Sequence, residues 1–303
     1  MKTQRYYSHG KLLLTGEYLV LDGAKALAIP CKYGQHLEVS STTANKSSWH
    51  SYDYQEKLWF SAEFNLAEVI THKIKGENEI EQRLFQILRE AYQLNSKIFH
   101  QNYNFKTELE FPQNWGLGTS STLITNLAQW ADVDAYQLLY NTFGGSGYDI
   151  ACAQSNSALS FRLKQDAPEA ENIDFPEALI PFTYFLHLGK KQNSRSAIKN
   201  YRAQKPSDLE TKVEEINKLS EAFLKVTSFQ EGQNVLKQHE LLLAEILKLN
   251  PIQSREFPDF DGQIKSLGAW GGDFVLVLSQ TNPRDYFNEK GYTTLLTFQD
   301  MVL

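Results

Sequence analysis

From Tyr103 to Phe111 the chain alternates: Tyr103, Phe105, Thr107, Leu109 and Phe111 fall on one side and Asn104, Lys106, Glu108 and Glu110 on the other. A period of two predicts a half-buried strand. From Leu123 the period changes, with Leu123, Ile124, Leu127, Trp130 and Ala131 at helical spacing. Thr119, Ser120 and Ser121 precede that run and are expected to supply capping hydroxyls. Pro112 to Ala131 therefore reads as a glycine-bracketed loop feeding a helix directly behind a strand.

The same patterns divide the rest of the chain. Two apolar runs, Leu12–Leu14 and Leu19–Leu21, are split by Gly16-Glu17 and closed by Asp22-Gly23, which predicts a hairpin or bulged strand pair. Gln35 to Thr43 and Trp49 to Phe64 read as sheet, and Glu79 to Asn95 as a helix with Ile80, Leu84, Ile87, Leu88 and Ala91 on one face. A further helix is expected from Asp132 to Phe143, bounded by Gly144-Gly145, and a strand from Ser157 to Leu163. Lys164 to Pro176, with two prolines and several acids, reads as a linker, which places one domain over 1–165 and another over 176–303.

The second half opens on a strand at Pro181 to Leu188 and a basic segment containing Lys190, Lys191 and Arg195. Two long helices follow. Ser207-Asp208-Leu209-Glu210 reads as a capping box for the first, with Val213, Ile216, Leu219 and Phe223 inward; Val235, Leu242, Ile246 and Leu249 mark the second, which Asn250-Pro251 ends. His239 on that helix reads as a surface or packed residue. Strands at Phe274 to Leu278 and Tyr292 to Phe298 close the chain, and there is no internal repeat or low-complexity tract.

With 303 residues and 42% apolar content, the chain can bury a substantial core. A net charge of −6 gives no global basic field, so neither nucleic acid nor an anionic membrane is an expected partner. A small acidic substrate held by a few local cations is compatible with that balance. The two cysteines, Cys31 and Cys152, lack metal-ligand spacing, and the opening residues form neither a charged-then-apolar leader nor a long apolar run. A cytoplasmic chain with reduced thiols, monomeric or homodimeric, is expected.

Two features carry chemistry. Gly116 and Gly118 let the backbone turn and approach a ligand closely, and free N–H groups at a helix start favour anions, so the loop suits a phosphate; an ordinary strand-to-helix connection would look the same in isolation. Lys11 and Glu17 place charges within otherwise buried-looking strands, which is costly unless they are paired or functional, or unless both point to solvent on an edge strand.

Taken together, GKLLLTGEYLVLDG (residues 10–23) resembles the first motif of the GHMP small-molecule kinases, and Gly116-Leu117-Gly118-Thr119-Ser120-Ser121 resembles the second. Gly145-Ser146-Gly147-Tyr148-Asp149 is similar to the segment presenting the catalytic aspartate, and Leu267-Gly268-Ala269-Trp270-Gly271-Gly272-Asp273 stands where the glycine-rich third motif should be. The resemblance implies a two-lobed α+β fold, with an N-terminal lobe like ribosomal protein S5 domain 2 and a ferredoxin-like C-terminal lobe. It implies ATP and Mg²⁺ as cofactors, held by Asn114, Trp115, Gly116, Leu117, Gly118, Thr119, Ser120 and Ser121, with Ser120 as metal ligand. Asp149 and Lys11 would be catalytic, and Glu17, Tyr18, Ser146, Gly147, Arg195, Gly271 and Gly272 would face the substrate. Gly16-Glu17-Tyr18 leans toward the phosphomevalonate kinase form, so mevalonate or phosphomevalonate is the expected substrate. Two departures stand out: Gln137, Leu138, Leu139 and Tyr140 occupy the region where several members carry a metal-binding glutamate, and Trp270 and Asp273 replace usually small residues. They keep open a non-catalytic nucleotide- or partner-binding protein, beside a related decarboxylase-like lyase.

Overall fold

The computed structural model describes residues 3–165, 167–190 and 194–303, with the side chains of residues 194 and 195 left out. The chain folds into two compact units. Residues up to 10, 33–113 and 118–154 form the first; 11–32, 114–117 and 155–303 form the second.

Strands β1 (Gln4–Thr15) and β2 (Ala26–Thr42) pair with each other and belong in part to both units. In the first unit, Gln35–Thr42 of β2 pairs antiparallel with β5 (Asn102–Leu109), which lies parallel to β3 (Ser47–Tyr52); β3 pairs antiparallel with β4 (Leu58–Phe64). The alternation predicted for β5 is present, with Tyr103, Phe105, Thr107 and Leu109 all buried. Helices α1 (Leu66–Ile70), α2 (Glu79–Leu94), α3 (Thr119–Ala131), α4 (Ala135–Thr142) and α5 (Tyr148–Ala153) complete the unit. Its core joins Leu37, Val39, Trp49 and Phe105 of the strands to Leu84, Leu88, Leu127 and Trp130 of the helices. Ile80, expected on the inner face of α2, is instead exposed.

The second unit begins with the remainder of β1 and the first half of β2. Residues 17–22, expected as strand, instead form a turn and a 3-10 segment, Leu19–Asp22, ended by Gly23 in the left-handed conformation at φ 85°. Ala26–Ala28 of β2 pairs with β6 (Leu159–Lys164), and β6 pairs with β7 (Ala167–Asn172). The expected linker is therefore largely a strand.

Beyond it, β8 (Thr183–His187) and helices α6 (Ser194–Ala203), α7 (Leu209–Leu224), α8 (Phe229–Leu247) and α9 (Ile252–Glu256) lead to β9 (Gln263–Ser266) and β10 (Phe274–Leu278). Helix α10 (Arg284–Glu289), strand β11 (Leu295–Thr297) and helix α11 (Phe298–Met301) end the chain. The four strands order β11-β8-β10-β9, all antiparallel. All five residues of β10 are buried, as expected of a central strand covered on both faces. Asp208 is the N-cap of α7 and its side chain makes no cap bond, so the expected capping box does not form.

Candidate functional site

The phosphate-loop candidate depends on two glycines. Gly116 and Gly118 have φ of 67° and 92°, the left-handed region that only glycine enters cheaply. Gly118 is the N-cap of α3 and offers no side chain, so the first N–H groups of a 13-residue helix receive no side-chain acceptor from their N-cap. The expected capping hydroxyls go elsewhere: Ser121 Oγ turns back to donate to the Gly118 carbonyl at 2.8 Å, while Ser120 is exposed and Thr119 half-buried. Buried polar groups seat the helix on β2. Thr122 Oγ1 donates to Gln35 Oε1 at 2.7 Å, and Asn126 Nδ2 donates to the Gln35 carbonyl at 2.8 Å.

Within the second unit, the loop residues 114–117 are held by several groups at once. Lys11 Nζ donates to the Gly116 carbonyl at 3.0 Å, and the Lys11 backbone N–H donates to the Leu117 carbonyl at 3.0 Å. His187 Nε2 lies 3.0 Å from the Asn114 carbonyl, which fixes that nitrogen as the protonated one. The Trp115 ring meets Phe274 edge-on at 5.4 Å. A Cβ added at Gly116 would fall within 2.8 Å of the Asp273 carboxyl group, so Asp273 lies directly against the loop. His187 and Phe274 are absent from the motifs; nothing local in sequence marks them as supports of a loop some seventy residues or more away.

Asp149 belongs to the first unit, at the second position of α5, and is half-buried. Gly147 caps that helix with φ 90°, and an added Cβ would collide with the Tyr136 ring at 2.9 Å and the Tyr140 hydroxyl at 3.0 Å. Tyr140 also donates to the Ser146 carbonyl at 3.1 Å. The region expected to hold a second metal-binding acid is thus given to support: Leu138 and Leu139 enter the core, Gln137 is exposed, and Tyr140 braces the segment carrying Asp149. Burial, with smaller contributions from Tyr140, Asp134 and Asp149, pushes the Tyr136 phenol up to about 12.

The first and third motifs meet in the second unit. Glu17 is fully buried rather than facing solvent, and its Oε1 is paired with Lys265 Nζ, itself fully buried. Its Oε2 lies 3.7 Å from His239 Nε2, which accepts the Gly16 backbone N–H at 3.1 Å. Of the two positions read from sequence for His239, surface or packed, the structure shows the second, at 0% exposure. Tyr18, in an unusual backbone conformation with φ 65°, donates its hydroxyl to the Ala269 carbonyl at 2.6 Å. Trp270 does not project outward: its ring joins Tyr18, Leu19, Tyr201, Ile216 and Leu243 in a buried cluster. Gly271 follows with φ 86°, and Gly272 is buried.

Of the basic segment, Lys190 is exposed and its carbonyl accepts the Asp273 N–H at 2.6 Å; Lys191 and the side chain of Arg195 lie outside the described residues. Among the described residues no group of three or more His, Cys, Asp or Glu side chains is arranged to hold a metal, and no helix is long and apolar enough to cross a membrane.

The chain has the fold of the GHMP small-molecule kinases. Mevalonate kinase of Methanococcus jannaschii matches it with a TM-score of 0.73 at 16% identity, over 97% of this chain and 96% of that one. Phosphomevalonate kinase of Streptococcus pneumoniae, in complex with phosphomevalonate and AMPPNP, matches at 0.71 and 14% over 96% and 99%. Galactokinase of Lactococcus lactis, complexed with galactose, matches at 0.66 and 12% over 97% and 92%. No protein-family profile and no curated protein sequence matches the chain.

Proposed function

We propose that this chain is an ATP-dependent small-molecule kinase. It would transfer the γ-phosphoryl group of ATP to a hydroxyl or phosphate oxygen of a small acidic substrate, with mevalonate or phosphomevalonate as the leading candidates, in the cytoplasm. The observation that carries this reading is the uncapped start of α3 behind Gly116-Leu117-Gly118, with Ser120 exposed beside it. Free N–H groups at a helix start form an anion site, and left-handed glycines allow a phosphate to approach the backbone closely. The AMPPNP complex among the structures of like fold supports the same assignment.

In this reading ATP supplies the phosphoryl group, and its magnesium ion neutralises the charge on the phosphates. The N–H groups of Thr119, Ser120 and Ser121 donate to phosphate oxygens, and Ser120 Oγ offers one neutral oxygen to the metal. A lone hydroxyl suits an ion that arrives on the nucleotide and keeps several waters, not a resident one. Asp149 orients the substrate hydroxyl and takes its proton, and Lys11 stabilises the phosphate charge while bracing Gly116. Tyr18, Ser146, Gly147, Arg195, Gly271 and Gly272 form the candidate substrate side, with Lys190 as an added cation.

ATP consumption with mevalonate, phosphomevalonate, homoserine and simple sugars, run beside Asp149→Asn, tests the proposal. Turnover of one substrate, reduced at least about a hundredfold in the variant, is the expected result. Nucleotide binding with no turnover of any substrate would instead favour a binding protein, the alternative that the absence of an acid over residues 137–140 and the presence of Trp270 keep open. Carbon dioxide release coupled to ATP use would favour the lyase.

A further inference from the structure

The second unit contains a buried charge cluster that the proposed reaction does not use. Lys265 Nζ is paired with Glu17 and donates to the Ser266 carbonyl at 2.8 Å. Glu240, 1% exposed, accepts the Ser266 N–H at 3.0 Å and the Ser266 hydroxyl at 2.9 Å, and also the Ile252 N–H at 3.2 Å. His239 accepts the Gly16 N–H, so its Nε2 is unprotonated, and Glu17 Oε2 and His239 Nδ1, both buried, have no hydrogen-bond partner among the described residues.

Such a cluster is expensive. Burying ionic groups is weak evidence for stability, and apolar packing of similar volume often serves as well or better. Its position suggests what it provides instead. On one side it grips Gly16 and Glu17, and the neighbouring Tyr18 bonds to Ala269; on the other it grips Ser266, at the entrance to residues 267–273. Both arms lead to one glycine. Five residues before Gly16, Lys11 bonds the Gly116 carbonyl, and four residues after Ala269, Asp273 packs on the Gly116 backbone.

We propose that Glu17 and Lys265 are positioning residues: through their buried pair they hold the Gly16–Tyr18 turn and the loop 267–273 in a fixed relation, and thereby set the conformation of the loop at Gly116. The relevance to catalysis rests on the kinase reading; the mechanical link does not. Removing one partner strands the other charge in the interior, so the effect should extend to the loops that the pair anchors.

Amide hydrogen exchange at pH 8, where Glu17 is ionised, in Glu17→Gln and Tyr18→Phe, with AMPPNP titrated into each protein and into wild type, separates these questions. The first variant removes the charge at nearly constant shape, and the second removes only the hydroxyl on Ala269. The expected result is exchange at least tenfold faster at 267–273 in both variants and at 114–117 in Glu17→Gln, with β8 and β10 unchanged, and an AMPPNP Kd raised tenfold or more in Glu17→Gln. Wild-type rates at both loops, or acceleration spread evenly through β8 and β10, would overturn the proposal. If Glu17→Gln does not fold, Tyr18→Phe decides by its rates at 267–273. If wild type fails to bind AMPPNP, the kinase reading falls while the exchange pattern still decides the mechanical link.

Discussion

Glu17 shows what burial does to a single carboxyl. Desolvation pushes it up to about 7, against the opposing charge and hydrogen bond of Lys265. Burial raises Glu240 as well, and burial together with Lys265 holds His239 well below the usual imidazole range. Between its ordinary value of 4.5 and about 7, folded Glu17 keeps a proton that the unfolded chain has released. Taken by itself, Glu17 makes stability fall as pH rises through that window, by on the order of 3 kcal/mol. His239, held unprotonated in the folded chain, acts in the opposite sense below its ordinary 6.5. Surface acids that are shifted down, such as Asp259 and Asp300, act in the opposite sense but at lower pH. Urea midpoints at pH 5 and pH 8 isolate the Glu17 contribution when wild type and Glu17→Gln are compared: wild type should lose more stability, or gain less, over that range than the variant. The sequence shows that Glu17 is out of place among apolar neighbours. It does not show the partners, because Lys265 sits in a four-residue strand buried on both faces, where no alternation distinguishes in from out.

At the scale of elements, periodicity was a good guide wherever one face met water. Strand β5 follows its expected pattern, and helix α2 does so apart from Ile80 in its first turn. Capping was less legible, because a hydroxyl near a helix start has several possible acceptors: Ser121 bonds back to Gly118, and the sequence that resembles a capping box before α7 makes no cap. The expected linker misleads for a related reason. Its prolines and acids suit an exposed strand such as β7, whose residues are mostly exposed, as well as they suit a loop. Gly147 is the element-scale position with the clearest consequence, since its φ of 90° and the Tyr136 ring both exclude a side chain. Gly147→Ala should cost about 1–3 kcal/mol from the backbone alone, and more if Tyr136 cannot move. A thermal melt would register it, with loss of turnover exceeding what the fall in stability explains.

At the scale of the whole molecule, the chain changes unit at 10/11, 32/33, 113/114, 117/118 and 154/155. The second unit depends on residues 11–32 as well as on everything after 154. A fragment of residues 176–303 would keep Lys265 while losing Glu17, leaving an uncompensated charge in its interior. It should be insoluble or lack a cooperative unfolding transition, which circular dichroism and urea titration would check. Two contiguous sequence ranges cannot express this interleaving.

The same interleaving limits how such a protein can be rearranged over time. A recombination breakpoint near residue 155 would give a descendant the later strands and helices without the early strand that completes them. Exchange of parts between relatives would then have to carry matched pieces from distant positions in one gene. Divergence through scattered point substitutions, rather than the swapping of halves, is the route that this chain path leaves open.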